Sequence, residues 1–275
     1  MTTPPRLSFK ARANTSTAQM RRNVAANDGK YEFVKGGIGN KPPCIVAGGG
    51  PSLKNALEIL RKWEGDIFGI NDTPGYLSDN GIPSYAYAID ASAKPFKRGV
   101  LTKGAVFATR VDPCQFEPYN DIRVYNMYED NRFCGVEGGC TAAARAPHLF
   151  LRMGYQKIVF VGCDGSMSLE GKSHVSGHQD VAFTEKLIVR AGDVDYVTNT
   201  SFYIQTEYLF RKILQHPRLL INGSGGMLRG ILQHPDTWRV VAIDDYLKQK
   251  YVDLGAMFWT KAYGGGNLWQ PQQAI

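Results

Sequence analysis

What this sequence lacks narrows it first. Across 275 residues no stretch approaches the roughly 18 consecutive apolar residues that a membrane helix needs. Residues 1–27 are polar, without the apolar centre of a secretory signal. Together these absences predict a cytoplasmic protein with no membrane span. The five cysteines, Cys44, Cys114, Cys134, Cys140 and Cys163, are odd in number and form no C-x-x-C pair. That argues against a disulfide framework or a zinc knuckle and predicts reduced, mostly buried thiols. No H-E-x-x-H occurs, no internal repeat is visible, and nothing in the chain supports sequence-specific DNA recognition.

The chain is 43% hydrophobic, enough to bury the core of one large domain with extensions. Its net charge of +7 is unevenly spread. Residues 1–42 carry Arg6, Lys10, Arg12, Arg21, Arg22, Lys30, Lys35 and Lys41 against Asp28 and Glu32, which accounts for +6 and leaves the rest near neutral. This basic segment, rich in Thr, Ser, Ala and Asn, is expected to be a flexible arm. It is compatible with contacts to nucleic acid or an acidic partner, and a solvated tail has the same composition.

The densest signal is Pro43 to Lys54, where a short apolar strand runs through Gly48, Gly49, Gly50, Pro51 and Ser52 into a helix. Leu53, Ala56, Leu57 and Leu60 repeat there at helical spacing. Glycine lets a backbone approach a ligand closely, and the first N–H groups of a helix lack internal partners. With Ser52 as candidate N-cap, the loop is outlined as an anion cradle; a tight turn that only needs small residues has the same outline. It follows neither the G-x-x-x-x-G-K-[ST] nor the G-x-G-x-x-G pattern.

Further along, apolar runs at 44–47, 66–70, 84–89, 105–109, 123–126, 157–162 and 218–221 alternate with helical patterns at 53–63, 73–80, 141–153 and 201–215. That alternation predicts an α/β, Rossmann-like doubly wound fold: a mostly parallel sheet with helices on both faces. The domain is expected over residues 43–235. Residues 236–275 form a C-terminal extension, with a possible strand at 238–243, a helix at 244–251 and a glycine-rich tail. The aromatic residues Phe258, Trp259, Tyr263 and Trp269 are expected to dock on the body, or else on another subunit of a homo-oligomer.

In such folds ligands bind beyond the carboxyl ends of the strands. The polar residues there are Asn71 and Asp72, Asp90 and Ser92, Thr109, Arg110 and Asp112, and Asp164 and Ser166. Asp90 and Asp164 are candidate Mg²⁺ ligands against a polyphosphate, although any one aspartate is also a common helix N-cap. Gly139 and Thr141 open a third glycine-rich helix start, and Asn222 and Ser224 follow the last strand as candidate base or sugar contacts. Between Gly171 and Asp180, His174 and His178 lie four residues apart in a polar loop, where one is a candidate acid or base.

The ordered set Gly49 to Leu53, Asn71, Gly81-Ile82-Pro83 to Asp90, Gly139 to Ala144, and Gly154 to Asp164 resembles the MptE-like family of 6-hydroxymethyl-7,8-dihydropterin pyrophosphokinases. The resemblance spans roughly residues 44–226. It implies Mg²⁺-assisted transfer of diphosphate from ATP to a hydroxymethyl, pterin-like acceptor, with Asp90 and Asp164 at the metal. The same segments are more distantly similar to bacterial sialyltransferases that use a CMP-activated sugar. Ala47 to Leu53 corresponds to their AGNGPSL loop with Gly49 for asparagine, and Ser173 to His178 to their Ser-His-Tyr-x-Gly-His stretch with Val175 for tyrosine. That likeness implies His178 as general base. A third reading is a non-catalytic nucleotide-binding module attached through the basic arm.

Overall fold

The computed structural model describes residues 15–37, 39–127, 135–136, 138–168, 172–175 and 186–243. His178, the helix expected over 244–251, the aromatic cluster and the glycine-rich tail lie outside the described residues.

The elements, in chain order, are α1 (Thr17–Asn27), β1 (Glu32–Phe33), β2 (Cys44–Ala47), α2 (Leu53–Arg61), β3 (Ile67–Ile70), α3 (Thr73–Asp79), β4 (Ser84–Ala88), β5 (Thr102–Ala108) and β6 (Ile122–Tyr125). They continue with α4 (Ala142–Arg152), β7 (Ile158–Val161), β8 (Leu187–Ala191), β9 (Val194–Thr198), α5 (Thr200–Gln215), β10 (Leu220–Asn222), α6 (Gly226–Gln233) and β11 (Arg239–Ile243). Eight strands form one sheet in the order β1-β6-β5-β4-β3-β2-β7-β10, and every neighbouring pair is parallel.

β2 shows why the sheet is buried on both sides. All four of its residues are buried, with Cys44 and Val46 in one apolar cluster and Ile45 and Ala47 in the other. Alternate side chains of a strand point to opposite faces, so a run of four apolar residues needs cover above and below. The second cluster receives Leu53, Ala56 and Leu60 of α2 and Leu77 of α3, whereas α4 and α5 contribute Leu149, Phe150, Tyr203 and Leu209 to the first. Gly81 and Gly154, at φ of +74° and +93°, close α3 and α4 in the left-handed conformation that glycine adopts freely.

Strand order sets the location of the site. From β2 the chain builds outward through β3, β4, β5 and β6, then returns to place β7 on the other side of β2. The order therefore reverses between β2 and β7, and a crevice opens beyond their carboxyl ends. A separate three-stranded antiparallel sheet, in the order β11-β8-β9, contains the strand expected at 238–243.

The flexible-arm boundary at residue 42 is corrected. Helix α1 packs on the body, and β1 is the edge strand of the main sheet, with Glu32 in register with Arg123 and Phe33 with Val124. The attachment is polar. Asn23 and Asn27 are 1% and 2% exposed and donate through Nδ2 to the carbonyls of Ala91, Arg110, Thr109 and Val111. Composition and apolar periodicity do not register a helix docked by amides.

Candidate functional site

β2 and β7 leave the sheet side by side through glycines. Gly48 N donates to Val161 O and Gly50 N to Gly162 O, both at 2.8 Å. A Cβ on Gly48 would lie 2.5 Å from Gly162 O, and one on Gly50 2.6 Å from the same oxygen. The glycines therefore let two backbones touch. Gly49 differs: its Cβ would meet the His174 ring at 3.1 Å, so it faces the loop carrying that histidine.

The anion position at the start of α2 is already filled. Asp164, 3% exposed, accepts from Ser52 N at 2.7 Å through Oδ2 and from Ser52 Oγ through Oδ1. Ser52 Oγ in turn accepts from Gly225 N at 2.9 Å. Burial pushes the Asp164 carboxyl above its ordinary value, while the Ser52 hydroxyl and N–H and the Gly225 N–H pull the other way. Two expectations change. Ser52 does not cap α2 with its side chain, which is turned toward Asp164, and Leu53 N donates to Gly50 O. Leu53 is core, and neither it nor Pro51 nor Ser52 lines the crevice, although Gly48, Gly49 and Gly50 do.

The crevice is a cavity of about 290 Å³, at the lower end of the range for small-molecule sites, roughly 300–1,000 Å³. Asn71, Asp90 and Arg110 reach it from the ends of β3, β4 and β5, and Thr141 from the start of α4. Asn71 is the only non-glycine residue at positive φ, +53°, among the described residues. Its N–H donates to Tyr87 O, but its buried Oδ1 has no hydrogen-bond partner among the described residues. Asparagine tolerates the left-handed region better than most residues, yet an orphaned buried oxygen is costly.

Around Asn71 the walls are polar. Asp90 Oδ1 accepts from Ser92 N at 3.0 Å, and Arg110 Nε donates to Ile89 O at 2.9 Å. Thr141 Oγ1 accepts from Ala144 N and caps α4, whose first-turn residues Ala142 and Ala143 also line the cavity. Burial pushes the neighbouring Cys140 thiol up, which disfavours a thiolate there. Gly139 lies outside the lining, and its Cβ would press on Ala144 Cβ at 3.0 Å.

Asn222 and Ser224, expected as base or sugar contacts, are absent from the cavity lining and shape the loop instead. Asn222 Oδ1 accepts from Ser224 N at 3.0 Å, while Ser224 Oγ accepts from Cys163 N at 2.9 Å and donates to Phe160 O at 3.2 Å.

Two further lining residues stand on the opposite wall, His174 of the expected histidine pair and Gln205, which lies outside the expected set. His174 lies over Gly49, with Nδ1 2.9 Å from Ser173 Oγ and its ring edge toward Phe202, at 6.2 Å between centroids. Val175 N donates to Gly49 O at 2.9 Å and ties this loop to the glycine turn. On α5, capped by Asn199 Oδ1 accepting from Phe202 N, Gln205 is 8% exposed and lines the cavity. A glutamine one turn after Ser201, on the buried side of α5, is the sequence signal for it.

The donor set tests the expected Mg²⁺. Among the described residues no three His, Cys, Asp or Glu side chains come together as ligands. Asp164 lines the cavity but already accepts from Ser52 through both of its oxygens. Asp90 fits as a single carboxylate, the other ligands coming from substrate phosphates and water.

Compared with known proteins, the chain matches no family model, no curated sequence and no solved structure. Among the described residues no helix is long and apolar enough to cross a membrane.

Proposed function

We propose that this protein is a nucleotide-dependent transferase that moves a sugar from a nucleotide-activated donor onto an acceptor hydroxyl. The observation that carries the reading is the polar crevice where the strand order reverses, with Asn71, Asp90, Arg110 and His174 in its lining. These side chains offer hydrogen bonds to the ribose, base and phosphate of a nucleotide. The sequence resemblances agree with a nucleotide at this place.

In this reading the donor phosphate lies against the first turn of α4 and the Arg110 guanidinium, where helix-end N–H groups and positive charge favour an anion. Gln205 and Ser201 offer hydrogen bonds to the transferred group from the opposite wall. His174 takes the proton from the acceptor hydroxyl as the new bond to the sugar carbon forms. The bond from that carbon to the phosphate oxygen breaks, and its electron pair leaves with the nucleotide. The Ser173 hydroxyl beside Nδ1 orients the imidazole. His174 replaces His178 as the proposed base because it is the histidine that lines the cavity among the described residues.

Asp90 favours a second reading, diphosphate transfer from ATP to a hydroxymethyl acceptor, in which Mg²⁺ bound at Asp90 would neutralise phosphate charge.

A thermal-shift series with CMP, CTP, a CMP-activated sugar and ATP, each with and without Mg²⁺, separates the readings, because a ligand that binds only the native state raises its stability. The expected result is stabilisation by the CMP-sugar without metal, with turnover lost in His174→Ala while binding persists. Loss in His178→Ala instead passes the role of base to that residue. Stabilisation by ATP only with Mg²⁺ selects the diphosphate route. No response to any nucleotide overturns both readings and leaves a non-catalytic module.

A further inference from the structure

One wall of the cavity is made by the N-terminal helix. Thr15 and Met20 line it, and Met20 Sδ lies 3.6 Å from Arg110 Nη1. α1 is attached in an unusual way. Its only fully buried side chains are Asn23 and Asn27, one turn apart on a single stripe. Asn23 Nδ2 bridges the carbonyls of Ala91 and Arg110, both at 3.0 Å, and Asn27 Nδ2 those of Thr109 and Val111 at 2.9 and 2.8 Å. All four carbonyls follow the carboxyl ends of β4 and β5, and Ala91 and Arg110 line the crevice. Water can take over amide-to-carbonyl bonds when a helix lifts, whereas an exposed apolar stripe has no such replacement. Just after α1, Gly29 sits at φ +69° with no atom within 4 Å of where its Cβ would be. It lies between α1 and the sheet-anchored β1, a position suited to a hinge.

We infer that α1 is a strap over the cavity, docked by two asparagines and hinged near Gly29, whose release opens the wall formed by Thr15 and Met20 and whose docking holds Arg110 in place. The inference rests on the reading of the crevice as a ligand site. Asn23 and Met20 are positioning residues in it: one fixes the backbone of Arg110 and the other contacts its guanidinium. A ligand that engages Arg110 closes the strap, and an empty site leaves it free to open.

Two measurements on the full chain test this. In wild type, hydrogen exchange followed by mass spectrometry is expected to be at least tenfold faster for α1 amides than for β2 and β3. In Asn23→Ala/Asn27→Ala, alkylation of Cys140 by iodoacetamide is expected to rise at least fivefold while Cys44, buried in β2, stays protected. α1 amides that exchange as slowly as the central strands overturn the strap, as does an unchanged Cys140 rate with Cys44 protected. Should Cys44 react as well, the variant has unfolded and the wild-type exchange result decides. Adding a CMP-activated sugar is expected to slow α1 exchange. A strap that opens but ignores every nucleotide keeps this inference and removes the nucleotide reading.

Discussion

Asp164 holds Ser52 with both of its carboxylate oxygens, one on the backbone N–H and one on the hydroxyl, and so supplies from within the chain the negative charge that the start of α2 attracts. The glycine turn has the outline of a phosphate loop, but its occupant is a side chain from the end of β7. In the reading proposed above, ligand phosphate goes to the other side of the crevice, at α4 and Arg110.

Replacing that occupant should leave a vacancy that an external anion can fill. Asp164→Ala is expected to lose about 2 kcal/mol of stability, since hydrogen bonds to a charged group are worth about 1.5–3 kcal/mol. Added sulfate should recover part of the loss, whereas wild type should gain less from it. Melting temperatures of both proteins across a sulfate titration decide the matter, and equal gains would sink the idea.

The raised carboxyl of Asp164 fixes the sign of a pH effect. A group whose folded value lies above its unfolded one contributes stability that is complete below the unfolded value, 3.8, and is lost as pH rises through the folded value. Asp164→Asn lacks this titration. The stability of wild type minus that of Asp164→Asn is therefore expected to be greatest at the acid end and to fall as pH rises above 3.8. Paired denaturant titrations over that range would show it; a difference that grows with pH would contradict it.

Asn71 combines a left-handed backbone with an unpaired oxygen, and glycine separates the two. Asn71→Gly is expected to fold with little loss, while Asn71→Ala should be less stable than Asn71→Gly by about 1–2 kcal/mol because its Cβ opposes positive φ. Both should bind nucleotide about fivefold more weakly, the equivalent of one hydrogen bond of about 1 kcal/mol. Isothermal titration of Asn71→Gly with the nucleotide that stabilises wild type is the check, and unchanged affinity there would remove Asn71 from the site.

The central sheet was readable because its strands are continuous apolar runs: Cys44–Ala47 and Ile158–Val161 have to be covered on both faces. The crevice was readable too, since Asn71, Asp90 and Asp164 all follow strand ends. Their division of labour was not. Nothing about Ser52 in the sequence announces a partner at Asp164, and Asn222 and Ser224 look like ligand contacts until their hydrogen bonds to their own loop are seen. α1 escaped because asparagines carry its buried stripe, and two residues are too few for β1 to show a pattern. The antiparallel hairpin of β8 and β9 did leave a trace. Gly192 and Asp193 separate two strand-forming runs, a two-residue turn with Gly192 at φ +59°.

Ser52 meets Asp164 across 112 residues of chain and Gly225 across 173. Contacts of such separation require closing long loops before they return any stabilisation, and they characteristically form late in folding. A nascent chain can pair β2 with β3 and β4 as each emerges, but it has no complete crevice until β7 and the start of α6 have been synthesised and docked. If the crevice binds the proposed nucleotide, binding competence is therefore expected to coincide with completion of folding, and ligand binding to report on the last long-range closure of the chain.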